Sequence, residues 1–302
     1  MKRRGFLKQG LLTAAAMSPL AAMGFGIRTE APAERRVTIL HSSDVHSRIE
    51  PFPMDGGRLQ GLGGASRRAA LIAQIRSENP DVLLFDSGDF WQGTPYFNLY
   101  KGELEVRLME QMGYDAVTLG NHEFDLGLEA LALQLGKAPF AVINSNYEFT
   151  DSSMASMCKP ISIFEKGGIR TGVFGLGIDL QGLVAGSVYR NVLYSNPVER
   201  ARYYANVLVH DMKCDLVVCL SHLGLRYRND KVSDTVLARN CTNIDIILGG
   251  HTHIFLDAPV EERNPDGKPV WISQVGMGGA VLGRIDISID RQKRCRSCNL
   301  RV

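Results

Sequence analysis

The feature that most constrains this chain is a recurrence: five short apolar, β-branched runs each end in a cluster of Asp, Asn, Ser, His and Gly. Val37 to Leu40 leads into His41-Ser42-Ser43-Asp44-Val45-His46, and Val82 to Phe85 into Asp86-Ser87-Gly88-Asp89. Ala116 to Leu119 leads into Gly120-Asn121-His122-Glu123-Phe124-Asp125, Leu216 to Leu220 into Ser221-His222-Leu223-Gly224, and Ile244 to Leu248 into Gly249-Gly250-His251-Thr252-His253. Runs of this length and composition suit buried strands. Further strands are predicted over Ala141 to Ile143, Ile169 to Leu176, Val270 to Val275 and Val281 to Ile289. Helices are predicted from Ala65 to Ser77, Glu103 to Met112, Leu128 to Leu135, Val198 to Met212 and Val232 to Arg239, several of them bounded by Gly or Pro. Strands alternating with helices define an α/β chain, and two stacked β-sheets with helices outside would satisfy the pattern.

Six of the seven histidines lie in these post-strand segments. In sheets with helical crossovers, loops beyond the carboxyl ends of the strands converge on one site. The residues so gathered, Asp44, His46, Asp89, Asn121, His222, His251 and His253, offer imidazole nitrogen, carboxylate oxygen and one amide oxygen, which is a donor set for divalent metals and contains no thiolate. Asp44 and His46, like His251 and His253, are two apart, so in an extended segment each pair would project to one side. A carboxylate shared by two ions, for which Asp89 is the candidate, would hold them roughly 3.5 to 4 Å apart, the spacing at which a metal pair clamps the oxygens of a phosphoryl transfer. Two divalent ions against two carboxylates leave an excess of about two positive charges, which favours an anionic substrate. Mn, Fe, Zn and Co all fit such donors.

Taken singly, a His after a strand is ordinary and Asp-x-His is weak. In this order, Asp-x-His, Gly-Asp, Gly-Asn-His-Glu, Ser-His and Gly-His-x-His resemble the calcineurin-like metallophosphoesterases. Within them, Gly88-Asp89-Phe90-Trp91-Gln92-Gly93-Thr94-Pro95, Lys101-Gly102-Glu103, Gly120 to Asp125 and Ser221 to Gly224 resemble the 5′-nucleotidase and UDP-sugar hydrolase group, over roughly Val37 to Ile289. The resemblance implies two mixed β-sheets stacked as a sandwich and flanked by helices. It implies Asp44, His46, Asp89 and His253 on one metal, and Asp89, Asn121, His222 and His251 on the other. It also implies that His122 faces the substrate phosphate, oriented and charged by Asp125. Ser42-Ser43 stands where these relatives have Thr-Asn, a departure expected to alter hydrogen bonding around the ligands and not ligation itself.

A chain of 302 residues, 45% hydrophobic and 22% charged, can bury a sizeable core. No linker or repeat divides it after the first thirty residues, so residues 31–302 are expected to form one catalytic domain. Residues 1–30 are expected to be a cleaved signal peptide: Lys2-Arg3-Arg4 precedes an uncharged stretch from Gly10 to Gly26 that is broken by Pro19 and ends in small residues. The adjacent arginines before Gly5-Phe6-Leu7-Lys8 resemble a twin-arginine export signal, which implies a periplasmic or extracellular protein without stable membrane insertion after cleavage. A formal charge of +2, with no basic run, argues against a nucleic-acid polymer as partner.

The expected partner is a nucleotide or another small phosphate ester. The resemblance implies a further C-terminal nucleotide-binding domain in nucleotide-hydrolysing relatives. None is expected in residues 31–302, so a separate chain supplying it is an expectation. Alternatives are a broad-specificity phosphatase or 2′,3′-cyclic-nucleotide phosphodiesterase, the related thiohydrolase of sulfur oxidation, and a metal-loaded subunit without turnover. Six cysteines allow up to three disulfides in 15 pairings. Cys295-Arg-Ser-Cys298 reads as a local disulfide or free thiols, and Cys214 and Cys219 read as small core hydrophobes.

Overall fold

Alternation within the apolar runs decides the layers. In the computed structural model, Val37 and Ile39 of Arg35–Ser42, Leu83 and Phe85 of Val82–Asp86, and Ile285 and Ile287 of Gly283–Ile289 point one way. There they meet Val173 of Ile169–Leu176, Leu216, Val218 and Leu220 of Leu216–Ser221, and Ile246 and Leu248 of Ile246–Gly249, so this set is the layer between two sheets. The alternate residues face outward. Leu40, Val82 and Leu84 pack under helices Ala65–Glu78, Glu103–Met112 and Leu128–Leu135, while Val217, Cys219 and Ile247 pack under Pro197–Asn206 and Asp234–Asn240. A strand covered on both faces has no polar side to show, and the runs are therefore apolar throughout.

The structure describes residues 35–150, 152–229, 231–289 and 295–301. The expected signal segment, residues 1–30, lies outside them. One sheet has the spatial order Cys295–Arg301, Gly283–Ile289, Arg35–Ser42, Val82–Asp86, Ala116–Val117, Ala141–Ile143, Cys158–Lys159. The other has Val260–Arg263, Pro269–Gln274, Ile246–Gly249, Leu216–Ser221, Ile169–Leu176, Ile161–Lys166. Both are mixed: parallel in the middle, with antiparallel pairs at an edge. A third, two-stranded sheet pairs Tyr147–Phe149 with Val192–Tyr194. Among the described residues no helix is long and apolar enough to cross a membrane.

Several sequence expectations need correction. The run Ala116 to Leu119 is a strand only at Ala116–Val117, because Thr118 to Gly120 already turn toward the ligand loop. The helix expected from Val198 to Met212 is α-helical over Pro197–Asn206 and widens to a π-turn over Val207–Asp211. Helices Pro95–Tyr100 and Ser152–Met157 were not predicted, being too short for periodicity to mark. Cys219 and Cys214 are buried in the outer core layer, as expected, and Cys158, Cys219 and Cys241 are thiols. Cys295 and Cys298 fall on the Cys295–Arg301 strand, and their side chains lie outside the description.

Candidate metal centre

Arg35–Ser42, Val82–Asp86 and Ala116–Val117 are mutually parallel, as are Leu216–Ser221 and Ile246–Gly249, so each group of ligand loops leaves one end of its sheet. Beyond the strands the first two loops stay paired. Ser87 N–H donates to Ser42 O at 3.0 Å, Asp44 N–H to Gly88 O at 2.9 Å, and His46 N–H to Asp89 O at 3.0 Å. Ser87 Oγ reaches across to Leu248 O at 2.8 Å, joining the two sheets beneath the site.

Two glycines allow the loops to meet. A Cβ on Gly120 would lie 2.2 Å from Asp89 Oδ1, and one on Gly88 would lie 2.4 Å from Gly120 N.

The expectation of extended pairs fails here. Asp44, His46, Asp89, His251 and His253 all have positive φ, between 51° and 70°. Left-handed residues at these places, and not a two-residue period, aim the side chains inward. Non-glycine residues rarely adopt this conformation, and clustering of such strain is a mark of functional sites.

All seven proposed ligands converge. His46 Nε2 and His253 Nε2 are 3.0 Å apart, and His253 Nε2 is 3.4 Å from Asp44 Oδ1. His222 Nε2 is 3.0 Å from Asp89 Oδ2, and His251 Nδ1 is 3.0 Å from Asn121 Oδ1. Donor atoms fall into three groups that could hold an ion: Asp44, His46 and His253; Asp89, His222 and His251; and His46, Asp89 and His122. Asp89 belongs to two of them, so the clusters suit a dinuclear centre. His122, seated in the single turn His122–Phe124, contacts Asp125 Oδ2 through Nδ1 at 2.8 Å, and its backbone N–H donates to Asp89 Oδ1 at 2.8 Å.

Tautomers follow from the acceptors. A carbonyl only accepts, so His222 Nδ1 donates to Ser87 O at 2.7 Å and His46 Nδ1 to Gln92 O at 3.1 Å. In the neutral form of each ring the Nε2 lone pair would then point into the centre, at a second imidazole nitrogen or a carboxylate. The 3.0 Å approach of His222 Nε2 to Asp89 is close but not directed as a hydrogen bond, and Asp44 Oδ2 and His222 Nε2 are buried without a hydrogen-bond partner. Such convergence is stable only around positive charge.

The titration behaviour says the same. Burial lowers the His222 pKa, but the carboxylates of Asp89 and Asp44 outweigh it and push it up to about 10. Burial alone would raise Asp89, yet His222 holds it well below the usual carboxylate range. His251 is lowered to about 4 by burial and then by the charge on His222, and burial lowers His46. The hydrogen bond to Asp125 raises His122 against the opposing effect of its partial burial.

Glu123, inside the Gly-Asn-His-Glu motif, has a role that its place in the sequence does not announce. Its buried carboxylate accepts N–H groups from Gly120 at 2.7 Å, Asp89 at 2.9 Å and Trp91 at 3.2 Å, so one side chain fixes two ligand loops. Burial and then the nearby Asp89 charge raise its pKa to about 8. The available signal was an acid between ligand residues and a core phenylalanine, Phe124. Ser42, at the departure from the family pattern, donates to Asp86 Oδ2 at 2.6 Å and contacts Tyr114 Oη at 2.7 Å, one layer behind the ligands.

Two sandwiched sheets with a paired His/Asp cluster at the strand ends form a frame that could hold two metal ions. The calcineurin-like phosphoesterase family model matches residues 37–255, and the chain belongs to that family. It is 31% identical over 280 residues to a snake venom 5′-nucleotidase of Gloydius brevicauda, covering 84% of this chain and 45% of the relative. Among solved structures, a 5′-nucleotidase precursor from Thermus thermophilus superposes with a TM-score of 0.81 at 30% identity, over 88% of this chain and 54% of that one. An NAD nucleotidase from Haemophilus influenzae gives 0.77 at 25% identity, over 89% and 56%. The chain spans about half the length of these relatives.

Proposed function

We propose that this chain hydrolyses 5′-nucleotides and related small phosphate monoesters at a two-cation centre. The observation that supports it most directly is that Asp89 belongs to two groups of donor atoms, one with His222 and His251 and one with His46 and His122, while Asp44, His46 and His253 form a third group sharing His46. Asp44, His46, Asp89 and His253 would hold one ion, and Asp89, Asn121, His222 and His251 the other. Bound divalent ions supply Lewis-acid polarisation of phosphoryl oxygens and acidify water near neutral pH. Asp44 and Asp89 are the two carboxylates of the proposed ligand set, so the loaded site keeps about two positive charges for an anionic ester. His122, whose hydrogen bond to Asp125 favours its protonated form, would donate to the phosphoryl oxygens as negative charge grows there. Glu123 holds the Asp89 and Gly120 backbones, so the ligands need not reorganise.

The test is elemental analysis of the purified chain beside phosphate release from AMP, UDP-glucose, a 2′,3′-cyclic nucleotide and an aryl phosphate, with and without Mn²⁺. Two ions per chain and preferential release from AMP are expected. Comparable rates on all four would favour the broad-specificity phosphatase instead. Two bound ions with no release from any substrate would leave only a metal-loaded subunit.

Recognition of the base by a separate chain is part of the proposal. It predicts that a micromolar KM for AMP, as distinct from the preference in rate, needs that second chain, and a purified chain that reached it unaided would argue against the separate base-binding chain. Export through the N-terminal segment is likewise proposed, on the basic and apolar order of residues 2–26. Cell fractionation that found the protein in the cytoplasm would reject it.

A further inference from the structure

Two arginines, one in a segment adjoining a proposed ligand and one stacked on a ring that adjoins another, have no carboxylate partner among the described residues. Arg48 follows His46 by two residues, and its guanidinium carbon lies 4.3 Å over the ring of Phe52. Arg58 lies 4.8 Å over the ring of Phe255, which follows His253 by two residues. Two peptide links keep Arg48 and Phe255 within roughly 7 Å, Cα to Cα, of those ligands. The carboxylates of the same loop are engaged elsewhere: Glu50 accepts from Tyr96 Oη at 3.2 Å, and Asp55 accepts from Gly57 N–H at 2.9 Å.

Both rings are seated by one turn. Gly276 and Gly278 have φ of 74° and 67°. A Cβ on the first would come within 2.2 Å of the Phe255 ring, and one on the second within 2.4 Å of the Phe52 ring. Gly278 N–H also donates to the carbonyl of Asp44 at 2.7 Å, so the turn that positions both cation-bearing rings is tied to a proposed ligand. The loop that carries Arg58 is closed at its base, with Ala65 N–H on Ile49 O at 2.8 Å, Phe52 N–H on Leu62 O at 2.9 Å and Gly61 N–H on Phe52 O at 2.9 Å. Closed loops of this length are compact and frequently functional. Stacking on an aromatic face orients a guanidinium while leaving its N–H edge open, and that edge matches the oxygens of a phosphate.

We infer that Arg48 and Arg58 form a second anion subsite, which takes a further phosphate of an ester whose scissile phosphoryl lies at the cation pair. The ligand class is an organic diphosphate or bisphosphate. This subsite presupposes the phosphoesterase activity proposed above.

Calorimetric titration of the Mn²⁺-loaded chain with methylenediphosphonate and with methylphosphonate tests it, beside KM for ADP and AMP. The diphosphonate should bind at least ~10-fold more tightly. R48Q and R58Q should each remove about tenfold or more of that preference. Arg58→Lys should retain part of it, because the charge stays and the fork is lost. KM should rise further for ADP than for AMP in both glutamine variants, with unchanged thermal melting showing that the fold is intact. Equal weakening of both phosphonates, or none, would overturn the subsite even if every ester were still hydrolysed. An arginine-dependent diphosphonate preference in a chain that hydrolyses nothing would support the subsite and reject the hydrolase.

Discussion

His122 and Asp89 lie within hydrogen-bonding distance of each other, yet their removal should have different consequences. His122→Asn should leave two ions bound and lower kcat by about 100-fold or more, the usual loss when a positioned proton donor goes. Metal loss equal to that of a ligand variant would instead make His122 a ligand. Asp89→Ala should empty both positions together, since the proposed ligand sets assign its carboxylate to both ions and its donor atoms lie with His222 and His251 on one side and with His46 on the other. Backbone strain offers a separate check. His46 has φ 51°, where a Cβ is unfavourable by roughly 1 to 2 kcal/mol. The metal-free His46→Gly chain should therefore be more stable than His46→Ala by about 1 kcal/mol in urea unfolding. Equal stabilities would mean that the turn is unstrained.

The elements bearing these residues were legible where they are long and bounded. Glu103–Met112 and Leu128–Leu135 match their predicted limits, because each lies between glycines that end a helix cheaply. Pro197–Asn206 starts at a proline preceded by Asn196, whose Oδ1 accepts from Val198 N at 2.9 Å and Glu199 N at 3.3 Å. Asn196→Ala should cost about 1 kcal/mol of stability. Catalysis should be unaffected, since this helix packs on the outer face of its sheet, away from the ligand loops. The π-turn that follows was not legible, because no local breaker marks it; Leu208 within it is buried against the sheet. The two-residue strand Ala116–Val117 was overextended for the opposite reason: Leu119 is apolar and fully buried but belongs to a loop.

Burial across the double sandwich also sets a pH dependence. His41 is fully buried beside Ser273, its Nε2 3.0 Å from Ser273 Oγ, and burial lowers its pKa to about 3. The folded pKa is below the unfolded one, so the unfolded chain takes the proton first. The resulting stability is full above about pH 6.5 and is lost as pH falls from there toward about 3. Between about pH 7.5 and 5 the loss from this group is about 2 kcal/mol, and His41→Gln should flatten the stability profile by that amount relative to the parent chain. Comparison with the parent is needed because burial raises Asp86 to about 7 and Asp245 to about 6, and these act with opposite sign. An unchanged slope in the variant would show that His41 is protonated or solvated in the fold.

The sequence by itself determined the α/β class, the apolar strands and the identity of every proposed ligand, since residue chemistry and its order along the chain are local facts. It did not determine how those ligands meet. A two-residue spacing suggested extended pairs, whereas left-handed φ at Asp44, His46, His251 and His253 does the aiming. The work of Glu123, which clasps Asp89 and Gly120, and the seating of Phe52 and Phe255 on one glycine turn were decided only in three dimensions. Each depends on backbone atoms from segments far apart in the chain. A backbone amide carries no mark in the sequence of the partner it will find.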